Sequence, residues 1–293
     1  MDRLEQLFQQ FLRERIYLHN VTPKTRDWYE SAWKAFLRTR TEAQASAATI
    51  TRADLAQFVV QLRSRGVRPV SCNTWLRALN AFCRWLHEQG EAGRIERLQP
   101  QRLEKRLITT LDEPALRLIL AFRPDGFAQA RVHAVAVAIL DTGCRIQELL
   151  TAQTSSFDFD QLLLTVDGKG RKQRRVPFST ELRKVLLRFT RLKERLGVRS
   201  ELMFPSRCGT DWGQRNALRS YYLFLDRLAL PRSGFHRLRH TFATQYLRHG
   251  GEVVRLSLVL GHSEVSTTMK YLHLLTEDLQ RPHQTLSILN RLR

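Results

Sequence analysis

At 293 residues the chain has room for two domains of ordinary size, and 43% of it is apolar without the run of 18 or more that a membrane-spanning helix needs. The opening MDRLEQLFQQFLRER lacks the apolar core and small-residue cleavage site of a secretory signal, and Cys72, Cys83, Cys144 and Cys208 fall at no zinc-finger spacing, so a soluble cytoplasmic protein with reduced thiols and no structural zinc is expected. Lys plus Arg number 48 against 28 Asp plus Glu, a formal charge of +20 whose field attracts polyanions and makes nucleic acid the default partner.

The N-terminal part reads as helices with clear punctuation. In VTPKTRDWYESAWKAFLRTR, Thr22 is placed to cap a helix, Pro23 stands in a first turn, and Trp28, Ala32, Ala35 and Phe36 recur at helical spacing. TRADLAQFVVQLRSRG pairs Thr51 with Asp54 as a cap and stops at Gly66. SCNTWLRALNAFCRWLHEQG sets Trp75, Leu79, Phe82 and Leu86 along one stripe and stops at Gly90. Charged text interrupted by Pro100 then marks a linker over 91–107, dividing a helical domain, 1–90, from a second, 108–293.

Downstream, DEPALRLILAF and ARVHAVAVAILDTG read as helices, the second apolar nearly all round, therefore buried, and ending at Gly143. QLLLTVDGKGRKQRRVPFS carries the one convincing β signal: an apolar run from Leu162 to Val166, a turn at Asp167 to Gly170, and a second extended stretch closing at Val176 and Pro177. Five of the eight residues from Gly168 to Arg175 are Lys or Arg. Helices resume from Thr180, broken near Pro205, Pro231, Gly250 and Gly261, so the expected fold is mainly α with a small antiparallel β-sheet.

Four segments carry candidate chemistry. FHRLRHTFAT sets His236, Arg239 and His240 on one helix face. A zinc reading fails because the H-E-x-x-H pattern needs a carboxylate where Arg237 stands, whereas guanidinium forks match phosphate oxygens and imidazole exchanges protons near neutrality. The plain alternative is a solvated basic face. TGCRIQELL places Arg145 at a helix junction with Glu148 one turn on to orient or balance it, unless the two are an ordinary surface ion pair. Lys169, in the hairpin turn, can reach a bound ligand or simply belong to a loop that touches DNA backbone. LGHSEVSTTMKYLHLL supplies His262 and, nine residues on, Tyr271, which by itself would be read as core.

Taken together and in this order, TGCRIQEL, DGKGRKQRRVP, HRLRH and LGHSEVSTTMKYLH resemble the motifs of the tyrosine recombinase family, the phage integrases and Xer-type site-specific recombinases. The resemblance spans about residues 108 to 275, with the N-terminal helices resembling the family's core-binding domain more loosely. It implies a helical core-binding domain followed by a mixed α/β catalytic domain, with Arg145, Lys169, His236, Arg239, His262 and Tyr271 as the active-site set. The implied reaction is attack of the tyrosine hydroxyl on a phosphodiester, giving a 3′-phosphotyrosine and a free 5′-hydroxyl, then attack by the 5′-hydroxyl of a partner strand. In that scheme Arg145 and Arg239 bind the transition state, Lys169 protonates the departing 5′ oxygen, His236 helps accept the tyrosine proton and His262 donates to the phosphate. One phosphoester replaces another of similar energy, so neither ATP, metal nor cofactor is expected.

The same resemblance implies double-stranded DNA as partner and self-association into a tetrameric synaptic complex, and the two-domain layout allows a clamp around the duplex with the basic linker and hairpin on its phosphates. TEDLQRPHQTLSILNRLR resembles the segment that family members dock onto a neighbouring protomer, with Leu279, Leu286 and Leu289 as its apolar contact; a helix packed on its own domain is the alternative. Because the core-binding helices begin almost at Met1, the expected form is the two-domain one, in which integration or excision of a mobile element is favoured over Xer-type resolution of chromosome or plasmid dimers. A topoisomerase-like activity and a DNA-binding protein without strand cleavage are the competing readings.

Overall fold

Thr22, Pro23, Thr51 and Asp54 act as their positions predict. In the computed structural model, which describes residues 3–40, 50–93, 97–103, 109–168 and 173–272, the chain divides into two compact units, Met1–Arg106 and Leu107–Arg293. The first holds helices α1 (Arg3–Tyr17), α2 (Pro23–Leu37), α3 (Arg52–Ser64) and α4 (Pro69–Glu88). Thr22 Oγ1 accepts from the Thr25 amide at 3.3 Å, and Thr51 and Asp54 form a reciprocal capping box.

An aromatic cluster fills this unit. Phe8 stacks on Trp33 with ring centroids 4.5 Å apart and meets Phe82 edge-on at 5.2 Å. Each fully buried Phe contributes roughly 1.5–3 kcal/mol of transfer free energy, more than the propensity difference of about 0.7 kcal/mol that separates ordinary residues at one helix position. The indoles of Trp33 and Trp85 donate to Glu5 and Glu14, each at 2.6 Å, so neither N–H is buried unsatisfied. Phe36, Leu79, Phe82 and Leu86 are buried, whereas Trp28 and Trp75 pack at the edge of the core. Within 97–103, Asn73 exchanges two hydrogen bonds with the Gln101 backbone at 2.7 and 2.8 Å, and Asn80 donates to Leu98 O at 3.2 Å. This part of the stretch read as linker is therefore held by α4.

The second unit is built around α6 (Gly126–Thr142), buried along its length from Ala130 to Ile139 and packed on α8 (Thr180–Arg195), α9 (Gln214–Arg227) and α10 (Phe235–Arg248). Its buried polar side chains find partners, with Arg131 Nε alone left without a hydrogen bond: Arg131 lies over the Trp212 ring at 3.8 Å and donates from Nη1 to Pro205 O, and His133 contacts Ile119 O at 3.0 Å. Among the described residues the remaining α-helices of this unit are α5 (Glu113–Ala121), α7 (Ile146–Thr151), α11 (Val253–Leu260) and α12 (Val265–Met269). Gly143 ends α6 at φ +65°, and a Cβ there would overlap the Phe242 ring of α10 and Leu260 of α11. A glycine thus brings the end of α6 against two later helices, and that junction is where the site forms.

The sheet has three antiparallel strands in the order β1 (Phe157–Asp158), β2 (Leu163–Asp167) and β3 (Gln173–Pro177), with Leu164 opposite both Phe157 and Val176. Leu164, Val166 and Val176 face the core. The expected hairpin is β2–β3; β1 is an addition that its two residues gave no period to reveal. Lys169, and the proposed docking residues Leu279, Leu286 and Leu289, lie outside the described residues. Among the described residues no helix is long and apolar enough to cross a membrane, and no group of three or more His, Cys, Asp or Glu is arranged to hold a metal.

Candidate active site

The C-terminal end of α11 collects arginines. A helix leaves its last carbonyls without intrahelical partners and carries partial negative charge there. Arg174 on β3 donates from Nε to Val259 O at 2.9 Å, and Arg239 on α10 donates from Nη2 to Leu260 O at 2.8 Å. Arg145, preceding α7, reaches Leu260 O and Gly261 O at 3.3 Å. Arg239 also donates to Gly143 O at 2.6 Å, tying it to the end of α6. Gly261 is needed in this arrangement, since its φ is +63° and a Cβ would press on the Arg174 guanidinium.

Glu148 organises two of these cations. Its carboxylate accepts from the Arg145 amide at 2.7 Å and Arg145 Nη1 at 3.0 Å, and from Arg174 Nη1 and Nη2 at 2.8 and 2.9 Å, a bidentate fork. The pair is not on the surface: the Glu148 and Arg174 side chains are 6% and 13% exposed. Burial would raise the Glu148 pKa, but the hydrogen bonds from Arg174 and Arg145, with the charge of Arg174, outweigh it and hold the carboxyl below its ordinary value. Three guanidiniums against this carboxylate leave a surplus of positive charge beside α11, a setting for an anion. Arg145 remains one-third exposed and able to meet it.

The histidines divide by what they touch. Arg239 Nη2 lies 3.0 Å from His262 Nε2, and His262 Nδ1 lies 2.8 Å from Thr268 Oγ1. Since guanidinium only donates, His262 Nε2 is the acceptor and Nδ1–H donates to Thr268. Burial and then the charges of Arg239, Arg145, Arg174 and Lys270 push the His262 pKa down to about 4, so the ring is neutral at pH 7. The nitrogen expected to donate to a phosphate is here an acceptor. Arg239, buried, has its own pKa lowered to about 10 by burial and by Arg145, and stays protonated at neutral pH.

Tyr271 is 4% exposed and packs with Ala243, Leu247, Leu256 and Leu260. Its hydroxyl lies 2.8 Å from His240 Nδ1. Burial raises its pKa, with Arg239 and Arg145 pulling the other way. His236 faces solvent one turn before His240, with ring centroids 6.4 Å apart. The structure therefore brings Arg145, Arg239, His262 and Tyr271 into one junction with His236 at its edge. Arg174 and His240 belong to the same junction but were absent from the expected set. The doubly basic QRR of β3 hinted at the first, and the second histidine of HRLRH at the other.

Comparison with known proteins gives the family. The model of the phage integrase family matches residues 109–278, and that of the phage integrase N-terminal SAM-like domain matches residues 8–113. Tyrosine recombinase XerD of Proteus mirabilis is 29% identical over 246 residues, covering 80% of this chain and 78% of that one. Tyrosine recombinase XerC of Xanthomonas campestris pv. campestris is 30% identical over 235 residues, covering 78% and 71%. In fold, the chain is similar to the XerH site-specific recombinase bound to palindromic difH substrate in a post-cleavage complex (TM-score 0.74, 21% identity, 98% and 84% covered). It is also similar to the Tn1549 transposon integrase in complex with transposon right end DNA (TM-score 0.73, 20% identity, 97% and 99% covered). The chain belongs to the phage integrase family and is a site-specific tyrosine recombinase, an enzyme that binds DNA, cleaves it and rejoins it.

Proposed function

We propose that Tyr271 is the nucleophile of this recombinase and that Arg145, Lys169, His236, Arg239 and His262 form the surrounding site. The observation that carries the reading is the junction itself: α6, α7, α10, α11 and the segment after α12 deliver arginines, a neutral histidine and a buried tyrosine to one place. Tyr271 Oη attacks the phosphorus, the new O–P bond forms as P–O5′ breaks, and Lys169 supplies a proton to the leaving 5′ oxygen. Arg145 and Arg239 bind the non-bridging oxygens as charge gathers there, and His262 aligns Arg239 through their contact. A 5′-hydroxyl from the partner strand then reverses the chemistry.

In the same reading residues 1–90 are the core-binding domain, 91–107 the linker and 108–293 the catalytic domain, and duplex DNA is the substrate. A basic cavity in the first unit supports the DNA contact: Arg15, Arg77, Arg84 and Arg97 line it with Tyr29 and Asn80. Arg77→Ala and Arg84→Ala are expected to weaken DNA binding uniformly across sequences and to flatten the plot of log affinity against log salt by about one unit of slope per lost phosphate contact. Titrations at several salt concentrations check this; an unchanged slope removes the cavity from the interface.

Assembly into a tetrameric synapse fits an apolar cavity in the second unit of ≈ 730 Å³, lined by Leu116, Leu120, Val137, Leu140, Phe242 and Tyr246. Its proposed occupant is the Leu279, Leu286 and Leu289 stripe of a neighbouring protomer. For the biological role, recombination of a mobile element is the reading carried from the sequence, and the XerD and XerC relatives favour dimer resolution as the second. Sequencing the DNA ends trapped on the protein from fragmented genomic DNA separates them. Ends at the borders of a mobile element support the first, a single chromosomal site supports the second, and scattered ends contradict site specificity.

A further inference from the structure

Tyr271 needs a proton acceptor, because burial holds its phenol above the ordinary pKa against the pull of Arg239 and Arg145. The motif assigns that task to His236. The geometry points elsewhere. His262 has both ring nitrogens engaged, by Arg239 and Thr268. His236 makes no hydrogen bond among the described residues and faces solvent. His240 Nδ1 lies 2.8 Å from Tyr271 Oη, with ring centroids 5.6 Å apart.

The helix that carries His240 is fixed on both sides of it. Arg239 is buried between Gly143 O and Leu260 O, and Thr241 Oγ1 accepts from the Leu111 amide at 2.9 Å. Two anchored neighbours hold the backbone of His240 in place opposite the tyrosine. The groups acting on it are His236 and Arg239 on its own helix, with Tyr271 opposite; burial first, then those two charges, lower its pKa. The ring is accordingly neutral at pH 7, with a lone pair to offer at Nδ1 when Nε2 carries the hydrogen.

We propose that His240 is the catalytic base for Tyr271, an inference that rests on the reading of Tyr271 as nucleophile. As Oη bonds to phosphorus and P–O5′ breaks, the Oη proton passes to His240 Nδ1 while the 5′ oxygen takes a proton from Lys169. The DNA phosphate raises the basicity of the ring when substrate is present. In rejoining, the imidazolium returns its proton to the departing tyrosine oxygen. His236, by contrast, serves the phosphate side of the site.

The test uses the full-length protein with DNA that gives wild-type covalent adducts, prepared both with an ordinary phosphodiester and with sulfur replacing the bridging 5′ oxygen at the cleaved bond. A 5′ thiolate leaves without help from an acid, so sulfur rescues loss of an acid and does not rescue loss of a base. His240→Asn keeps an acceptor near the Nδ1 position but cannot act as an imidazole base. It is expected to slow cleavage by about 10²-fold or more on both substrates and to abolish the fall in rate toward low pH that reports imidazole protonation. His236→Asn should keep that fall. Melting temperature and DNA affinity are measured beside the rates, and His240→Gln serves as the second variant should His240→Asn not fold. Wild-type rate in His240→Asn, rescue by sulfur, or loss of the low-pH fall in His236→Asn alone overturns the assignment. Adducts that persist in Tyr271→Phe overturn the nucleophile reading instead, and wild-type adducts that vanish in Tyr271→Phe leave it standing whatever the histidine variants do.

Discussion

Tyr271→Phe should abolish covalent attachment to DNA and leave DNA affinity unchanged. The substitution removes one hydroxyl, no charge and almost no volume from a side chain that is 4% exposed and packed among Ala243, Leu247, Leu256 and Leu260. The aromatic packing survives, and the hydrogen bond to His240 is lost at a cost of about 1 kcal/mol. The guanidiniums of Arg145, Arg174 and Arg239 stay on the α11 carbonyls, since none bonds to the phenol. Binding and chemistry therefore separate in this variant. A gel shift on the bound DNA and a denaturing gel for protein-linked strands read the two independently; a Tyr271→Phe protein that loses affinity as well as adducts would mean that the hydroxyl serves binding or the shape of the site and not the chemistry alone.

The second large effect is predicted at Glu148. Glu148→Ala leaves the Arg174 fork, nearly buried, without its carboxylate and releases Arg145 from the amide and guanidinium contacts that set its position. Removing one partner of a buried ion pair costs about 3–5 kcal/mol, a large share of the 5–15 kcal/mol typical of a folded domain. Cleavage should fall with it, because Arg145 loses its aim at the phosphate. The pH dependence has a definite sign. The Glu148 pKa is depressed in the fold, so its contribution is present above the unfolded carboxylate pKa and is lost as pH falls through the lower folded value. Thermal melts across the acid range should show that limb in wild type and not in Glu148→Gln. A Glu148→Ala protein with wild-type melting temperature and cleavage rate would reduce the carboxylate to a bystander.

The sequence made the helices legible because their signals are local. Thr22, the Thr51 and Asp54 pair, Gly66, Gly90 and Gly143 each act within a turn of where they stand. The all-apolar text of α6 announced a buried helix for the same reason. The sheet was half legible: the alternation in β2 and β3 shows, but β1 has two residues and no period, and Leu162 lies at φ +55° in the turn before β2 instead of in the strand. The site residues were found through their order in four motifs, yet their contacts were not. Arg174 reaches Glu148 from another element, and whether His236 or His240 meets Tyr271 depends on the rotation of α10 against the segment after α12, which no spacing within HRLRH encodes.

The most direct measurement is the location of the DNA on the protein. Trapped adducts would be digested with nuclease and trypsin, and the peptide carrying the residual nucleotide identified by mass spectrometry. Cleavage after Lys270 releases a peptide in which Tyr271 is the only tyrosine, so the assignment is unambiguous. The nucleotide is expected there, joined through its 3′ phosphate, with a free 5′-hydroxyl on the other strand end. A nucleotide on any other residue, or joined through a 5′ phosphate, would contradict it.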